Sequence, residues 1–393
     1  MLIVLVAALG VTTLLGTAPV AAQPACVQQI APPAPVDSSE APKPGTVTPA
    51  PMSVPHTPVG GARMGECGLV LPIGGPGPPA GITAASWLIA DADSGEVLAA
   101  RDPHGRHRPA STLKLLTALL AVDQLPPDRV VIGTEADANE DGSRVGLGPG
   151  GHYTVRQLLT GLLLASGNDA AHALADQLGG VSATVTQMNA LAARLGARDT
   201  RAATPSGLDG PGMSASAYDL ALAFRQVLNR PLLVELLGTR EALFPGFGNK
   251  PEFVVSNDNK LLRTYPGALG GKTGFTDDAR HTQLDAAQTG GRRLMVVLMR
   301  GEQRPVSMSE QAARLLDYGF ALPPGHPVGR LVTGAEPPET APGNLAAAPE
   351  LGLSTESEDR NNTGRPLPVV VWIALAATLL GALSILVTRQ RHR

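Results

Sequence analysis

Cysteine is nearly absent: the 393-residue chain has only Cys26 and Cys67, both ahead of the region that carries its motifs, which leaves room for one disulfide at most. Aromatic residues are sparse, at 3%, and support no chemical inference. No excess of positive charge exists: 31 Lys and Arg face 34 Asp and Glu, a formal net charge of -3. That excludes the markedly basic surface of a nucleic-acid binder. The eight histidines are scattered, with no His-Glu-x-x-His or other metal-ligand spacing, so neither a metal nor another cofactor is expected. No internal repeat is visible.

The chain ends are rich in long apolar runs. Met1 to Ala22 is apolar and closes on the small residues Val20-Ala21-Ala22, which reads as an export signal over 1–22. The basic residues that usually open such a signal are missing, and an uncleaved N-terminal anchor is the alternative. Residues 23–82 are expected to be a Pro-rich extracytoplasmic segment, extended like a tether over Ala31 to Pro58. In an exported chain Cys26 and Cys67 are expected to pair. Two unpaired thiols, or lipidation of Cys26 after the poorly matching Gln23-Pro24-Ala25, are the alternatives. Residues 333–368 are rich in Pro, Ala and Glu and read as a disordered linker. Val369 to Val387 is long enough to cross a ~30 Å hydrocarbon core as a helix. Arg389, Arg391 and Arg393 follow within 388–393 and are expected to stay in the cytoplasm. The chain is therefore expected in the cell membrane, single-pass, with its bulk outside.

The folded unit spans 83–332. Ser86 to Arg101 reads as a β-hairpin around an Asp91-to-Gly95 turn. Helices are expected over Ser111 to Val122, Val155 to Ala165, Asp169 to Leu178, Val181 to Leu195 and Ala215 to Leu228. Strands return at Phe253 to Val255, Gly271 to Gly274, His281 to Ala287 and Leu294 to Met299, before a last helix over Ser307 to Gly319. The expected fold is α+β, one antiparallel sheet assembled from both ends of the domain and flanked by helices, with an all-helical subdomain. In His281 to Ala287, polar Gln283 and Asp285 alternate with Thr282, Leu284 and Ala286, the pattern of a half-exposed strand.

Three short clusters carry the chemistry. In Ser111-Thr112-Leu113-Lys114 the three-residue spacing puts serine and lysine on one helix face, close enough for proton transfer. Ser111 also falls at a helix N-terminus, which favours developing negative charge. Ser166-Gly167-Asn168 lies in a break between helices and can present a hydroxyl and an amide to a cleft. Glycines in Gly270-Gly271-Lys272-Thr273-Gly274 let a substrate backbone lie against a strand edge. A phosphate loop is the rival for this third cluster, but its first glycine would fall on Pro266. Taken singly, each cluster is also what a capped helix, a turn or a strand would show.

In this order the three clusters resemble the Ser-x-x-Lys, Ser-Asp-Asn and Lys-Thr-Gly set of penicillin-binding proteins and class A β-lactamases, with Ser-Gly-Asn in place of Ser-Asp-Asn. Together with Thr204-Pro205-Ser206-Gly207-Leu208-Asp209 and Lys272 to Asp278, they look like the low-molecular-mass D-alanyl-D-alanine carboxypeptidases, and the chain ends look like the actinobacterial, particularly mycobacterial, members. The resemblance implies a β-lactamase/transpeptidase-like fold and an acyl-enzyme on Ser111. Lys114 is the implied general base, and Ser166 the implied relay to the leaving amine. Asn168, Lys272, Thr273, Gly274 and Phe275 are the implied substrate-binding residues, with the oxyanion held by the N–H groups of Ser111 and Phe275. It implies peptidoglycan stem peptides as substrates and β-lactams as inhibitors. A DD-endopeptidase shares all these motifs and is an alternative. A serine β-lactamase is another, but its acyl-enzyme needs a general base, a Glu in class A, and Asp169 to Val234 contains no glutamate. A wall-binding protein with a dead site would have lost a motif residue, and none is lost.

Overall fold

Apolar runs without polar alternation, Trp87-Leu88-Ile89-Ala90 and Leu294 to Met299, are what a sheet covered on both faces requires. The computed structural model describes residues 26–334 and places both runs at the centre of one antiparallel sheet. Its strands are β1 (Leu69–Val70), β2 (Ser86–Asp91), β3 (Glu96–Arg101), β4 (Ala268–Thr276), β5 (Arg280–Thr289), β6 (Arg292–Gly301) and β7 (Gly329–Arg330). Their order is β1-β3-β2-β6-β5-β4, with β7 pairing the other half of β3. The first hairpin and the late strands meet at β2 and β6, where Ser86 pairs with Met299 and Asp91 with Leu294.

Side-chain parity divides the core. Trp87, Ile89, Leu294, Val296 and Leu298 face the C-terminal helix Met308–Ala321, whose Met308, Ala312, Leu315 and Leu316 are buried against them. Leu88, Ala90, Met295, Val297 and Met299 join the larger core of the helical middle. That middle contains α1 (Lys114–Gln124), α2 (Val155–Leu164), α3 (Asn168–Gln177), α4 (Val181–Leu195) and α5 (Ala217–Val227). Thr154 and Gln157 form a capping box at the start of α2, satisfying two N–H groups that a helix leaves unpaired. Helix α1 is buried along its apolar length, from Leu115 to Ala121, and so carries Lys114 into the interior.

Three expectations need correction. The helix expected from Ser111 begins instead as a 3-10 turn, Ala110–Leu113, and becomes α-helical at Lys114. Ala110, the first residue of that turn, sits at φ 48, outside the right-handed region, so the α-helix cannot extend back through it. Strand β5 is not half-exposed: Thr282, Gln283, Leu284, Asp285 and Ala286 are all buried. Its polar side chains are satisfied internally, since Asn259 and Gln283 both donate to the Asp285 carboxyl, which burial pushes up to about 7.

The Pro-rich stretch is not a free tether. Val59, Met64 and Val70 are buried in the main core, and Cys26 is disulfide-bonded to Cys67 with Cα atoms 5.7 Å apart. Buried Arg106 donates to the carbonyls of Ile30, Met52 and Ser53 and pairs with Asp199 at 3.0 Å. Backbone carbonyls of irregular chain, which need hydrogen-bond partners once out of water, thus find them on one guanidinium. The segment is a strap bound to the domain surface. Among the described residues no helix is long and apolar enough to cross a membrane. The expected signal (1–22), nearly all of the linker (333–368) and the apolar run 369–387 lie outside the described residues.

Replacing Arg106 by Met leaves Asp199 buried without that partner and strips the strap of three hydrogen bonds. The expected outcome is a loss of about 3 kcal/mol in urea unfolding, with new protease cleavage within residues 31–58. Unchanged unfolding and unchanged protease resistance would refute this account of the strap.

Candidate active site

Lysine 114 needs a reason to sit in an apolar helix with no exposed surface. Its Nζ lies 2.8 Å from Ser111 Oγ, 2.7 Å from Asn168 Oδ1 and 2.6 Å from the Ser206 carbonyl. Neutral lysine has two N–H groups and one lone pair. The two N–H groups match the carbonyl oxygens of Asn168 and Ser206, and the lone pair is left for the Ser111 hydroxyl. Burial, reinforced by the Lys272 cation, holds the Lys114 amine well below the ordinary lysine value, while Asp169 pulls the other way. The site therefore favours a deprotonated amine against a serine.

The second lysine is set differently. Lys272 is on β4, the strand at the sheet edge, and is also buried. Its Nζ donates to Ser166 Oγ at 2.9 Å and to the Thr273 carbonyl at 2.7 Å. Burial brings it down to about 8, with Asp258 opposing, so it is still a cation at neutral pH. Two buried lysines in one site are thus driven to different charge states by their environments.

Ser166 adopts φ 58, an uncommon conformation for a residue with a side chain, in the break between α2 and α3. Asn168 opens α3; its Oδ1 receives Lys114 and its Nδ2 donates to the Asp141 carbonyl at 2.6 Å. Gly274 backs onto the nucleophile: a Cβ there would lie 2.8 Å from Ser111 N and 2.5 Å from Thr282 Oγ1. Gly207, at φ 82, admits Ala110 so closely that a Cβ would stand 2.0 Å from its carbonyl oxygen. Thr273 is half-buried beside Lys272. The Phe275 side chain is 49% exposed, its ring 4.6 Å from that of His281.

The structure thus joins Ser111, Lys114 and Asn168 directly, joins Lys272 to Ser166, and lays Gly274 against Ser111. Two contributors were not picked out from the sequence. Ser206, quoted only as part of a motif, supplies the carbonyl that orients Lys114. Asp169 accepts hydrogen bonds from the N–H groups of Val145, Gly146, Leu147 and Ala170, fixing the loop that overlies Asn168. An acidic residue in the first turn of α3, directly after Ser-Gly-Asn, was the available signal.

Two groups of carboxylates with a histidine lie away from these residues, and both have internal roles. His104 contacts Asp199 and the Val59 carbonyl, with Arg106 on the other Asp199 oxygen, tying the strap down. His172 contacts Asp137, whose second oxygen is held by Thr134, and so braces the segment leading to Asp141.

Comparison with known proteins agrees with this geometry. Residues 75–303 match the family described as D-alanyl-D-alanine carboxypeptidase, peptidase S11. The chain is 48% identical over 252 residues to D-alanyl-D-alanine carboxypeptidase DacB2 of Mycobacterium tuberculosis, covering 63% of this chain and 86% of that protein. It is 32% identical over 251 residues to DacF of Bacillus subtilis, covering 62% of this chain and spanning 64% of that relative. The crystal structure of the penicillin-binding protein homologue Rv2911 of M. tuberculosis superimposes with a TM-score of 0.64 at 46% identity, covering 66% of this chain and all of that one. A match over more than half its length, on the segment that brings Ser111 and Lys114 together, makes this chain a member of the D-alanyl-D-alanine carboxypeptidase family of serine peptidases.

Proposed function

We propose that the protein is a serine-type D-Ala-D-Ala carboxypeptidase that removes the terminal D-alanine from peptidoglycan stem pentapeptides. The observation that carries this reading is the buried Lys114 amine, with its two N–H positions occupied and Ser111 Oγ 2.8 Å away. Lys114 takes the Ser111 proton as Oγ bonds to the carbonyl carbon between the two D-alanines. The N–H groups of Ser111 and Phe275 receive the oxyanion. Ser166, polarised by Lys272, passes its proton to the departing D-alanine amine as the C–N bond breaks and is reprotonated by the Lys114 ammonium, which returns to the neutral amine. Water then attacks the acyl-enzyme, releasing the shortened peptide and restoring the serine hydroxyl. Lys272 and Thr273 bind the terminal carboxylate, and Asn168 holds both Lys114 and the substrate amide. No cofactor enters any step.

β-Lactams are read as inhibitors that acylate Ser111 and leave slowly. Among the described residues, the hydrogen-bond partners of Lys114 Nζ include no carboxylate to serve as a hydrolytic base. The domain is read as extracytoplasmic, tethered by 369–387 with 388–393 inside and 333–368 as spacer. That reading rests on the apolar run and on Arg389, Arg391 and Arg393. The Cys26–Cys67 disulfide is consistent with an oxidising compartment.

Changing Ser111 to Ala is expected to lower kcat for D-alanine release by at least about 10³-fold and to abolish labelling by a fluorescent penicillin. Labelled peptide recovered from any other serine would refute the assignment. The pH profile follows from the two lysines. Protonated Lys114 cannot accept a proton, so acylation rises as pH climbs through its depressed pKa. Lys272 loses its charge near about 8, so turnover of carboxylate-bearing substrates falls above that pH. An alkaline limb absent up to pH 10 would exclude Lys272 as the charged anchor. With a chromogenic cephalosporin, one rapid acylation without sustained turnover is expected; fast steady-state hydrolysis would favour a β-lactamase.

A further inference from the structure

The turn that presents the nucleophile is held by a residue of the N-terminal strap. Arg108 stands three residues ahead of Ser111, with only 3% of its side chain exposed. Its guanidinium forms a two-pronged pair with the Glu40 carboxylate, Nη2 to Oε2 at 2.9 Å and Nε to Oε1, and also donates to the Pro33 carbonyl. Glu40 is itself 12% exposed, so the pair is largely out of water. Asp278, just past β4, accepts hydrogen bonds from Val36 N and Ser39 Oγ and fixes the same stretch of strap to the other side of the site.

Between Arg108 and Ser111 lie Pro109 and Ala110, and Ala110 is in the left-handed region at φ 48. A non-glycine residue there persists only where its surroundings over-determine it. Three contacts do so. Thr282 Oγ1 donates to the Pro109 carbonyl, Gly207 closes on the Ala110 carbonyl, and Glu40 fixes Arg108. The carboxylates that also act on Arg108 are Asp278 and Asp209. Neither is among the hydrogen-bond partners of the guanidinium, whose paired carboxylate is that of Glu40.

We propose that Glu40 is a positioning residue for acyl transfer, acting through Arg108 to keep Ser111 Oγ against the Lys114 amine. The inference rests on the reading of Ser111 as nucleophile, and it makes the strap part of the catalytic apparatus. A carboxylate is required because only its two oxygens engage both Nε and Nη2 of the guanidinium.

The test uses the full chain with Glu40→Gln, Glu40→Asp and, as control, Glu66→Gln, which breaks the half-buried Arg63–Glu66 pair on the same segment. Fluorescent penicillin gives two numbers for each: the titre of sites acylated at completion and the second-order acylation rate per titrated site. Glu40→Gln is expected to keep most of its sites but acylate each about tenfold more slowly. Glu40→Asp is expected to recover part of that rate, and Glu66→Gln to match the wild type. A purely structural role would lower the titre and leave the rate per site unchanged. That result, or a wild-type rate in Glu40→Gln, would overturn the proposal. A wild-type protein that takes no label at Ser111 would overturn the acyl-transfer reading, and the Glu40 assignment with it.

Discussion

The site of this protein is organised around one amine taken out of water. Lys114 has no carboxylate among its hydrogen-bond partners, so only the more distant Asp169 favours its charge, and a second buried lysine raises the cost of protonation further. Helix α1 is apolar on nearly every side because it must bury that amine. Asn168 and Ser206 accept hydrogen bonds from its two N–H groups, and Gly207 and Gly274 let the chain close on the neighbouring turn at Ala110 and Ser111. The sheet supplies the rigid edge from which Lys272 is presented.

How much of this could be read from the sequence depended on whether the signal was local. The Ser111–Lys114 pair follows from three-residue spacing, and the double-sided sheet from unbroken apolar runs. The contact between Ser166 and Lys272 spans 106 residues and was legible only because the clusters resemble a known set. The alternation in β5 misled, because a polar residue can be buried when Asn259 and Gln283 meet Asp285. The role of Ser206 was invisible for a different reason: it acts through its backbone carbonyl, which every residue possesses.

The strap was misread for the same kind of reason. Proline-rich chain without period has the composition of a tether, and nothing in that composition reports the arginines waiting for its carbonyls. Arg106 and Arg108 lie in a short polar stretch with no periodic signal of its own. Burial of both guanidiniums becomes intelligible only once the strap is seen lying on them. Over the described residues the strap therefore packs as part of the folded unit and does not hang from it.

The sheet is closed by partners from opposite ends of the domain: Ser86 finds Met299 only after the whole helical middle has been interposed. Contacts of such wide sequence separation form late. In a polypeptide made N-terminus first, β4, β5 and β6 appear only after Ser111 and the whole helical middle. Ser111 and Lys272 consequently stay apart until that middle is complete. A hydrolase assembled in this order is silent until its late strands have joined the sheet.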